Sequence, residues 1–183
     1  MNIKRALMLA ALAVPLLVAL LSGFGRDPHA VPSMFVGKPA PSFALQTLQG
    51  QQVALADGTR LPVLLNFWAT WCYPCQAEHD LLQETAAALA GRARVLGIVY
   101  NDSPEAVADY VAKHGAAYPQ LIDPNSRVAI DYGVAGVPES FIIDGNGIIV
   151  HKQAGVMRPE ILQRHLLPLL ADGPPPPTQK GFR

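Results

Sequence analysis

The middle of the chain alternates short apolar runs with longer segments in which apolar residues recur at helical spacing. Residues 61–68 and 93–100 are short and almost continuously apolar, which is the pattern of strands buried on both faces. Between them, residues 72–90 carry leucines on one helical face and end before Gly91, so they are predicted to form a helix. A right-handed crossover through this helix makes the two strands parallel.

The same alternation continues to residue 170 and predicts a mixed sheet with helices on both faces. A helix opens at Ser103-Pro104, where serine can cap the helix and proline fits its first turn. Gly145-Asn146-Gly147 is a strong hairpin signal between the last two strands. The other predicted bounds are strands at 43–47, 52–55, 120–122, 140–144 and 148–152, and helices ending at 114 and covering 125–132 and 159–170. The order β-α-β-α-β-α-β-β-α therefore follows an N-terminal β-hairpin, and the fold class is α/β.

The N-terminus carries a long uncharged run. Residues 6–24 contain no charged side chain, and as a helix these nineteen residues span about 28 Å, close to the hydrocarbon thickness of a bilayer. The run is longer than a usual signal-peptide core and lacks a clean cleavage site, which favours a retained transmembrane anchor over residues 1–26 and a tether over 27–37. Lys4 and Arg5 orient the N-terminus toward the cytoplasm and the remainder outward. A cleaved signal peptide and a buried core helix are the alternatives.

Composition and charge indicate one globular domain between the tether and a proline-rich end. Half of the 183 residues are hydrophobic, enough for a sizeable core, and residues 38–171 form the predicted domain. The formal net charge is zero and no basic stripe is visible, which argues against nucleic acid as a partner. Residues 172–183 contain four consecutive prolines and are predicted to be a disordered tail, with a ligand for a proline-recognition domain as the alternative.

The chain has two cysteines, and both lie where a predicted buried strand runs into a helix. Cys72 and Cys75 are spaced as Cys-x-x-Cys among β-α-β patterns, which is typical of a thioredoxin-like redox motif. At the helix start the Cys72 sulfur lies near unpaired backbone N–H groups, so we expect its pKa to fall below the free-thiol value of about 8.5. Cys72 is the predicted nucleophile and Cys75 the thiol that lies deeper and resolves the mixed disulfide. Pro74 fits the first turn, where its missing N–H costs little.

Two other interpretations of the cysteine pair stay open. The first is a purely structural disulfide. The second is part of a metal site, because Cys72, Cys75 and His79 fall on one helical face. A closed structural zinc site needs four ligands, and no second Cys-x-x-Cys or histidine cluster is visible, so we predict no metal. We also expect no cofactor other than the redox-active pair.

The region around the cysteines resembles the active site of thioredoxin-fold proteins. The matching segments are Phe67-Trp68-Ala69, Trp71-Cys72-x-x-Cys75 and the cis-proline loop Gly136-Val137-Pro138. The resemblance implies a thioredoxin-like mixed sheet flanked by helices, with a cis proline facing the cysteines. It also implies that clients bind along Trp71, Tyr73, Pro74, Val137 and Pro138. An ordinary trans turn is the alternative at Pro138.

Within that fold, the chain resembles the membrane-tethered cytochrome c maturation thioredoxins of the CcmG or DsbE group. The supporting segments are residues 66–75, 77–79, 132–144 and 145–149. The resemblance implies a protein-disulfide reductase on the bacterial inner membrane, with one membrane span and its catalytic domain in the periplasm. It implies apocytochrome c, or a haem-lyase or apocytochrome chaperone, as client, a membrane thiol-disulfide protein as electron donor, and a monomer.

The resemblance also points to two carboxylates. Thioredoxin carries a buried aspartate beneath the resolving cysteine, whereas this chain has Asn66, which cannot accept a proton in its place. Glu78 lies one turn beyond Cys75 at the edge of the apolar helix face, and Glu139 follows Pro138. A partly buried carboxylate has a raised pKa and can exchange a proton with a thiol, so both glutamates are predicted catalytic residues. The alternative is that both are solvated surface charges.

Three other functions stay open. One is a TlpA-like or ResA-like reductase for another extracytoplasmic client, such as a copper chaperone. Another is a non-catalytic module that only holds apocytochrome c. The third is a peroxiredoxin, which the Cys-x-x-Cys setting disfavours.

Overall fold

The structure is a computed structural model that describes residues 13–15, 17–18 and 34–171. The predicted anchor therefore lies almost wholly outside the described residues, as do most of the predicted tether and the whole proline-rich tail. Among the residues that are described, no helix has both the length and the apolar character needed to cross a membrane. The chain divides into two units, Met1–Pro32 and Ser33–Arg183, and the second contains the fold described below.

The second unit is built on a seven-stranded mixed sheet. Its strands are β1 (Ala44–Thr47), β2 (Gln52–Ala54), β3 (Val63–Trp68), β4 (Arg94–Val99), β5 (Gln120–Ile122), β6 (Glu139–Ile143) and β7 (Ile149–Ala154). They lie side by side in the order β2-β1-β5-β4-β3-β6-β7. The predicted N-terminal hairpin is confirmed, and it extends the sheet because β1 pairs with β5.

Helices connect the strands in the predicted order. They are α1 (Tyr73–Ala88), α2 (Pro104–His114), α3 (Arg127–Asp131), α4 (Pro159–Ile161) and α5 (Leu167–Ala171), with a 3₁₀ turn at Pro124–Ser126 and a π-helical turn at Leu162–Leu166. Leu82 of α1, Val107 of α2 and Leu166 of the C-terminal helical segment are buried on one side of the sheet. Val128 of α3 and Phe35 of the N-terminal segment pack on the other side. The predicted α/β class with helices on both faces is therefore confirmed.

β3 is an interior strand that bonds to a neighbour on each side. It is parallel to β4 and antiparallel to β6, and all six of its residues are buried, which explains why its sequence is apolar except at Asn66. The register places Asn66 opposite Ser140 and Phe67 opposite Glu139. Since successive side chains of a strand point to opposite faces, these two pairs lie on opposite faces of the sheet.

The helix predicted over residues 125–132 is shorter in the structure. Its α-helical part is Arg127–Asp131, because Asn125 and Ser126 have positive φ angles of 59° and 52°. The carboxylate of Asp123 accepts hydrogen bonds from the backbone N–H groups at positions 128 and 129, at 3.1 and 2.9 Å. This side-chain cap fixes the later helix start.

The last helical segment contains a π turn that the sequence pattern did not indicate. The turn covers Leu162–Leu166 and is followed directly by α5. Pro168 lies just beyond it, has no N–H for the carbonyl four residues earlier, and would clash with that carbonyl in a regular α-helix. A π turn is one way in which a helix accommodates such a residue.

Candidate active site

Cys72 and Cys75 form a disulfide at the point where β3 leads into α1. The S–S distance is 2.03 Å and the two Cα atoms are 5.3 Å apart. Cys72 is the N-cap residue of α1, and its sulfur accepts a hydrogen bond from the backbone N–H of Cys75 at 3.2 Å. Pro74 lies in the first turn, as expected. One of the helix-start N–H groups that favour a thiolate therefore already points at the Cys72 sulfur.

Both cysteines are largely shielded from solvent in this oxidised form. Cys72 is 4% exposed and Cys75 is 3% exposed. The sequence had predicted that Cys75 lies deeper than Cys72, but in this form the two are buried to nearly the same degree. The disulfide draws the two side chains together against Trp68 and other apolar residues, which explains the similar values. Trp71 and Tyr73 are 58% and 82% exposed beside the pair. These two aromatic side chains offer a surface that a client segment can cover.

The turn before Cys72 is hydrogen-bonded to the loop that follows β4. The backbone N–H and the hydroxyl of Thr70 both donate to Oδ2 of Asp102 at 2.7 Å. The indole N–H of Trp71 donates to the carbonyl oxygen of Asn101 at 3.1 Å. Sequence analysis missed Asp102, although a polar residue just after a buried parallel strand lies at the same sheet edge as the cysteines. Its contacts position the aromatic side of the site.

The proline loop packs against the cysteine pair. The Val137–Pro138 bond is cis, as the resemblance implied, and Val137 contacts the apolar cluster that contains both cysteines. Pro138 is buried, and its carbonyl oxygen accepts a hydrogen bond from the N–H of Gly155 at 2.9 Å. The structure thus brings together the cysteine pair and the proline loop, whose role in client binding stays a prediction from the resemblance.

Glu78 is a buried carboxylate one helical turn from Cys75. It is 1% exposed, so the alternative of a solvated surface charge is wrong. Its Oε1 accepts from Asn66 Nδ2 at 2.7 Å, and its Oε2 accepts from the Met157 N–H at 2.5 Å. Burial outweighs these two hydrogen bonds and raises the pKa of Glu78 to about 7. Near neutral pH the carboxyl can therefore both take and give a proton.

Asn66 and Ser140 complete the polar network around Glu78. The Asn66 amide nitrogen also donates to the Ser140 hydroxyl oxygen at 3.0 Å. Asn66 cannot take a proton as an aspartate would, but its amide orients the carboxylate that can. Sequence analysis missed Ser140 and Met157, because neither residue type nor local pattern indicates their contact with Glu78.

Glu139 is also buried, but its side chain lies on the other face of the sheet. It is opposite Phe67 in the strand register, whereas Asn66 and the Glu78 network lie on the reverse face. Its Oε2 is 3.0 Å from Lys152 Nζ, and Lys152 also donates to the Gly133 carbonyl oxygen at 3.0 Å. A solvated surface position is thus wrong for Glu139 as well. The structure does not bring the two glutamates together, and a role of Glu139 at Cys75 stays a prediction.

His79 is engaged in packing. Its Nε2 lies 3.2 Å from the Gly115 carbonyl oxygen, and its ring packs near Trp68 and Tyr110, with centroids 6.2 and 5.3 Å away. Within residues 13–15, 17–18 and 34–171, no group of three or more histidine, cysteine, aspartate or glutamate side chains is arranged to hold a metal ion.

Known proteins share this arrangement of sequence and fold. The model of the AhpC/TSA family matches residues 36–152. A thiol:disulfide interchange protein DsbE homolog from Paracoccus denitrificans is 41% identical over 84% of this chain and 90% of its own length. DsbE from Escherichia coli is 38% identical over 79% of each chain. A secreted thiol-disulfide isomerase from Corynebacterium glutamicum superposes with a TM-score of 0.68 at 27% identity, covering 80% of this chain and 96% of that one.

The reaction named in these relatives is the one that a Cys-x-x-Cys pair at a helix start performs. The two sulfurs can form and break a disulfide, and a buried carboxyl group with a raised pKa lies one helical turn from Cys75. This chain therefore belongs to the AhpC/TSA family and to its DsbE-type thiol:disulfide interchange proteins, and it is a thioredoxin-fold thiol:disulfide oxidoreductase.

Proposed function

We propose that this oxidoreductase reduces disulfides of apocytochrome c before haem attachment. Its similarity to DsbE proteins over most of both chains supports the proposal. The observation that carries it is the buried Glu78, one turn behind Cys75, because the resolving thiol of a reductant must lose a proton in every turnover. The reaction needs no metal, nucleic acid or cofactor beyond the cysteine pair, and a monomer suffices.

The first step forms a mixed disulfide. The Cys72 thiolate attacks one sulfur of the client disulfide, the bond between Cys72 and that sulfur forms, and the client disulfide breaks. The second client sulfur leaves as a thiolate. Trp71, Tyr73 and the Pro138 loop border the place where this attack occurs and are the proposed client contacts.

The second step releases the reduced client. Cys75 transfers its proton to the Glu78 carboxylate and attacks the Cys72 sulfur, so the Cys72–Cys75 bond forms and the bond to the client breaks. The client has then gained two electrons, and the protein is in the disulfide form described above. A pKa of about 7 suits Glu78 to this proton transfer near neutral pH.

Anchoring and re-reduction complete the proposed cycle. The uncharged run at residues 6–24 supports a single span of the bacterial inner membrane with the catalytic domain in the periplasm. Because compartments outside the cytoplasm favour disulfides, the protein needs an electron donor, which we propose is a membrane thiol-disulfide protein. Tethering both proteins to one membrane raises their effective concentration. A reductant of this kind should have a potential nearer about −200 to −270 mV than the value of about −120 mV for DsbA.

A trapping experiment tests the client assignment. In the full-length Cys75→Ser variant the mixed disulfide at Cys72 cannot resolve, so apocytochrome c should accumulate on it. The Cys72→Ser, Cys75→Ser double variant is the matched control and should trap nothing. Capture of a copper chaperone in place of apocytochrome c would indicate a TlpA-like client. Full cytochrome maturation by Cys72→Ser would indicate a non-catalytic binding role.

A further inference from the structure

One short loop connects the buried acid to the client-binding proline. Residues 155–157, here named the bridge loop, lie between β7 and α4. At one end, the N–H of Gly155 donates to the Pro138 carbonyl oxygen at 2.9 Å. At the other end, the N–H of Met157 donates to Glu78 Oε2 at 2.5 Å. Two residues of backbone therefore link the group that handles the Cys75 proton to the loop that contacts clients.

The bridge loop has a well-defined conformation. The Met157 side chain is buried in the apolar cluster that contains Leu64 and Leu82. Gly155 has a φ angle of 85°, which glycine adopts without the penalty that a side chain would add. Only residue 156 lies between the two positions, so both hydrogen bonds are made by one short stretch of backbone.

Protonation of Glu78 changes the hydrogen bond at Met157. Both polar partners, Asn66 Nδ2 and the Met157 N–H, are donors, so together they favour a carboxylate that only accepts. A hydrogen bond to a charged acceptor is about twice as strong as one to a neutral acceptor. When Glu78 takes a proton, its hydrogen bond with Met157 weakens. The added O–H is itself a donor, and at both carboxyl oxygens it faces another donor, Asn66 Nδ2 or the Met157 N–H.

Several other titratable or charged groups lie on the elements packed around this network, and a test must separate them from Glu78. Burial and the charge of Glu78 both raise the pKa of Tyr118, which keeps that phenol neutral in the range used below. The remaining groups on these elements are Cys72 at the start of α1, Tyr73, Cys75, His79, Asp80 and Glu84 on α1, Glu139 on β6, His151 and Lys152 on β7, Arg158 after the bridge loop, Glu160 on α4, and Arg164 and His165 in the π turn. His151 and His165 stack on each other, with centroids 4.0 Å apart. All of them remain in a Glu78→Gln variant, so a pH response that this variant loses belongs to Glu78.

We propose that the bridge loop is a positioning element that couples the protonation of Glu78 to the affinity of the Pro138 loop for clients. While Glu78 is charged, it fixes Met157, and through Gly155 it fixes Pro138 in its client-binding position. When the Cys75 proton reaches Glu78, the new Cys72–Cys75 bond frees the client sulfur and the Pro138 loop loosens at the same time. Release of the reduced client is thereby linked to the step that reduces it. The inference rests on the proposed function, in which Glu78 accepts that proton.

Amide NMR on the oxidised full-length protein tests the link without any turnover. The resonances of Met157 and Gly155 should both shift between about pH 5.5 and pH 8.5, with one common midpoint near the Glu78 pKa of about 7. In Glu78→Gln both shifts should vanish. Glu84→Gln, which removes an exposed carboxylate from the same helix, should leave them unchanged. A shift at Met157 without one at Gly155, or no shift at either, would overturn the proposal.

Client affinity gives a second, independent readout. The probe is an S-methylated Cys-x-x-Cys peptide without histidine, which mimics the reduced product and does not titrate in this range. Its affinity for the oxidised protein should fall about fivefold from high to low pH, the lower end of ordinary coupling between two sites. The Glu78→Gln variant should bind it weakly at every pH, and unchanged wild-type affinity across the range would contradict the coupling.

If client trapping fails while the two amides still titrate together, the proposed function falls and the coupling stands. If client trapping succeeds while the two amides do not titrate together, only the coupling falls.

Discussion

At the residue scale, the proposed chemistry depends on a carboxyl group that is costly to ionise where it lies. Glu78 receives two hydrogen bonds, from Asn66 and from Met157, yet burial still raises its pKa from 4.5 to about 7. The cause is desolvation, because both donors favour the charged form. This balance suits Glu78 to the proposed proton transfer near neutral pH. It also affects the stability of the folded protein.

The stability effect has a defined sign. Between pH 4.5 and about 7 the folded protein binds more protons at Glu78 than the unfolded chain does. Glu78 therefore stabilises the fold most below pH 4.5, and this contribution is lost as the pH rises through about 7. At about 1.4 kcal/mol per pKa unit, the loss is about 3 kcal/mol. Urea unfolding of wild type and Glu78→Gln at both ends of the range measures it, and identical pH dependence in the two proteins would refute the assignment.

The kinetic effect belongs to the second step alone. Glu78→Gln should slow the resolution of a Cys72 mixed disulfide about a hundredfold near neutral pH, within the usual range for a lost general base. The first attack should stay close to the wild-type rate. Because the sheet separates Glu139 from the Glu78 network, the double variant Glu78→Gln, Glu139→Gln should be only slightly slower than Glu78→Gln. Stopped-flow measurement of both steps checks this, and resolution at the wild-type rate in Glu78→Gln would remove its role.

At the element scale, β6 begins directly after the cis proline, and its first side chains make contacts on both faces of the sheet. Ser140 reaches the Asn66 amide on one face, and Glu139 reaches Lys152 of β7 on the other. Both partners of that ion pair are largely buried, so each depends on the other to offset the desolvation of its charge. The start of β6, and with it the Pro138 loop that we propose binds clients, is thus fixed by contacts on both faces.

Removing one member of this ion pair should be strongly destabilising. Lys152→Met leaves the Glu139 carboxylate buried without its partner, at a cost of about 3–5 kcal/mol in the free energy of unfolding. The double variant Lys152→Met, Glu139→Gln should recover much of that loss. Lys113→Met, at an exposed position of α2, is the control and should change stability by less than about 0.5 kcal/mol. Equal losses in the single and double variants would show that the pair does not act as a unit.

Strands, hairpins and α1 could be predicted because their signals are local. β3 is apolar at every position except Asn66, and the second hairpin has a glycine-rich turn between apolar segments. The later start of α3 could not be predicted, since it depends on the Asp123 carboxylate capping groups five and six positions away. The π turn likewise could not be predicted, since a proline such as Pro168 can be accommodated in a helix in more than one way.

At the scale of the whole molecule, the site joins segments that are distant in sequence. The cysteine pair could be predicted because all of its signal lies within one strand-to-helix junction. The partners of the site could not, because Met157 meets Glu78 across 79 positions and Asp102 meets Thr70 across 32. Such contacts depend on the tertiary fold. The face on which Glu139 lies follows from the register of β6 against β3, which a single sequence does not reveal.

The central proposal for the whole molecule is that electrons flow from the reduced cysteine pair to the client disulfide. The most direct test is a single turnover at neutral pH between the reduced full-length protein and an apocytochrome c segment whose Cys-x-x-Cys-His cysteines form a disulfide. We predict that one protein disulfide forms for each client disulfide lost, that Cys75→Ser stops at the mixed disulfide, and that Cys72→Ser does not react. A client that stays oxidised, or electron transfer from a reduced client to the Cys72–Cys75 disulfide, would contradict the account.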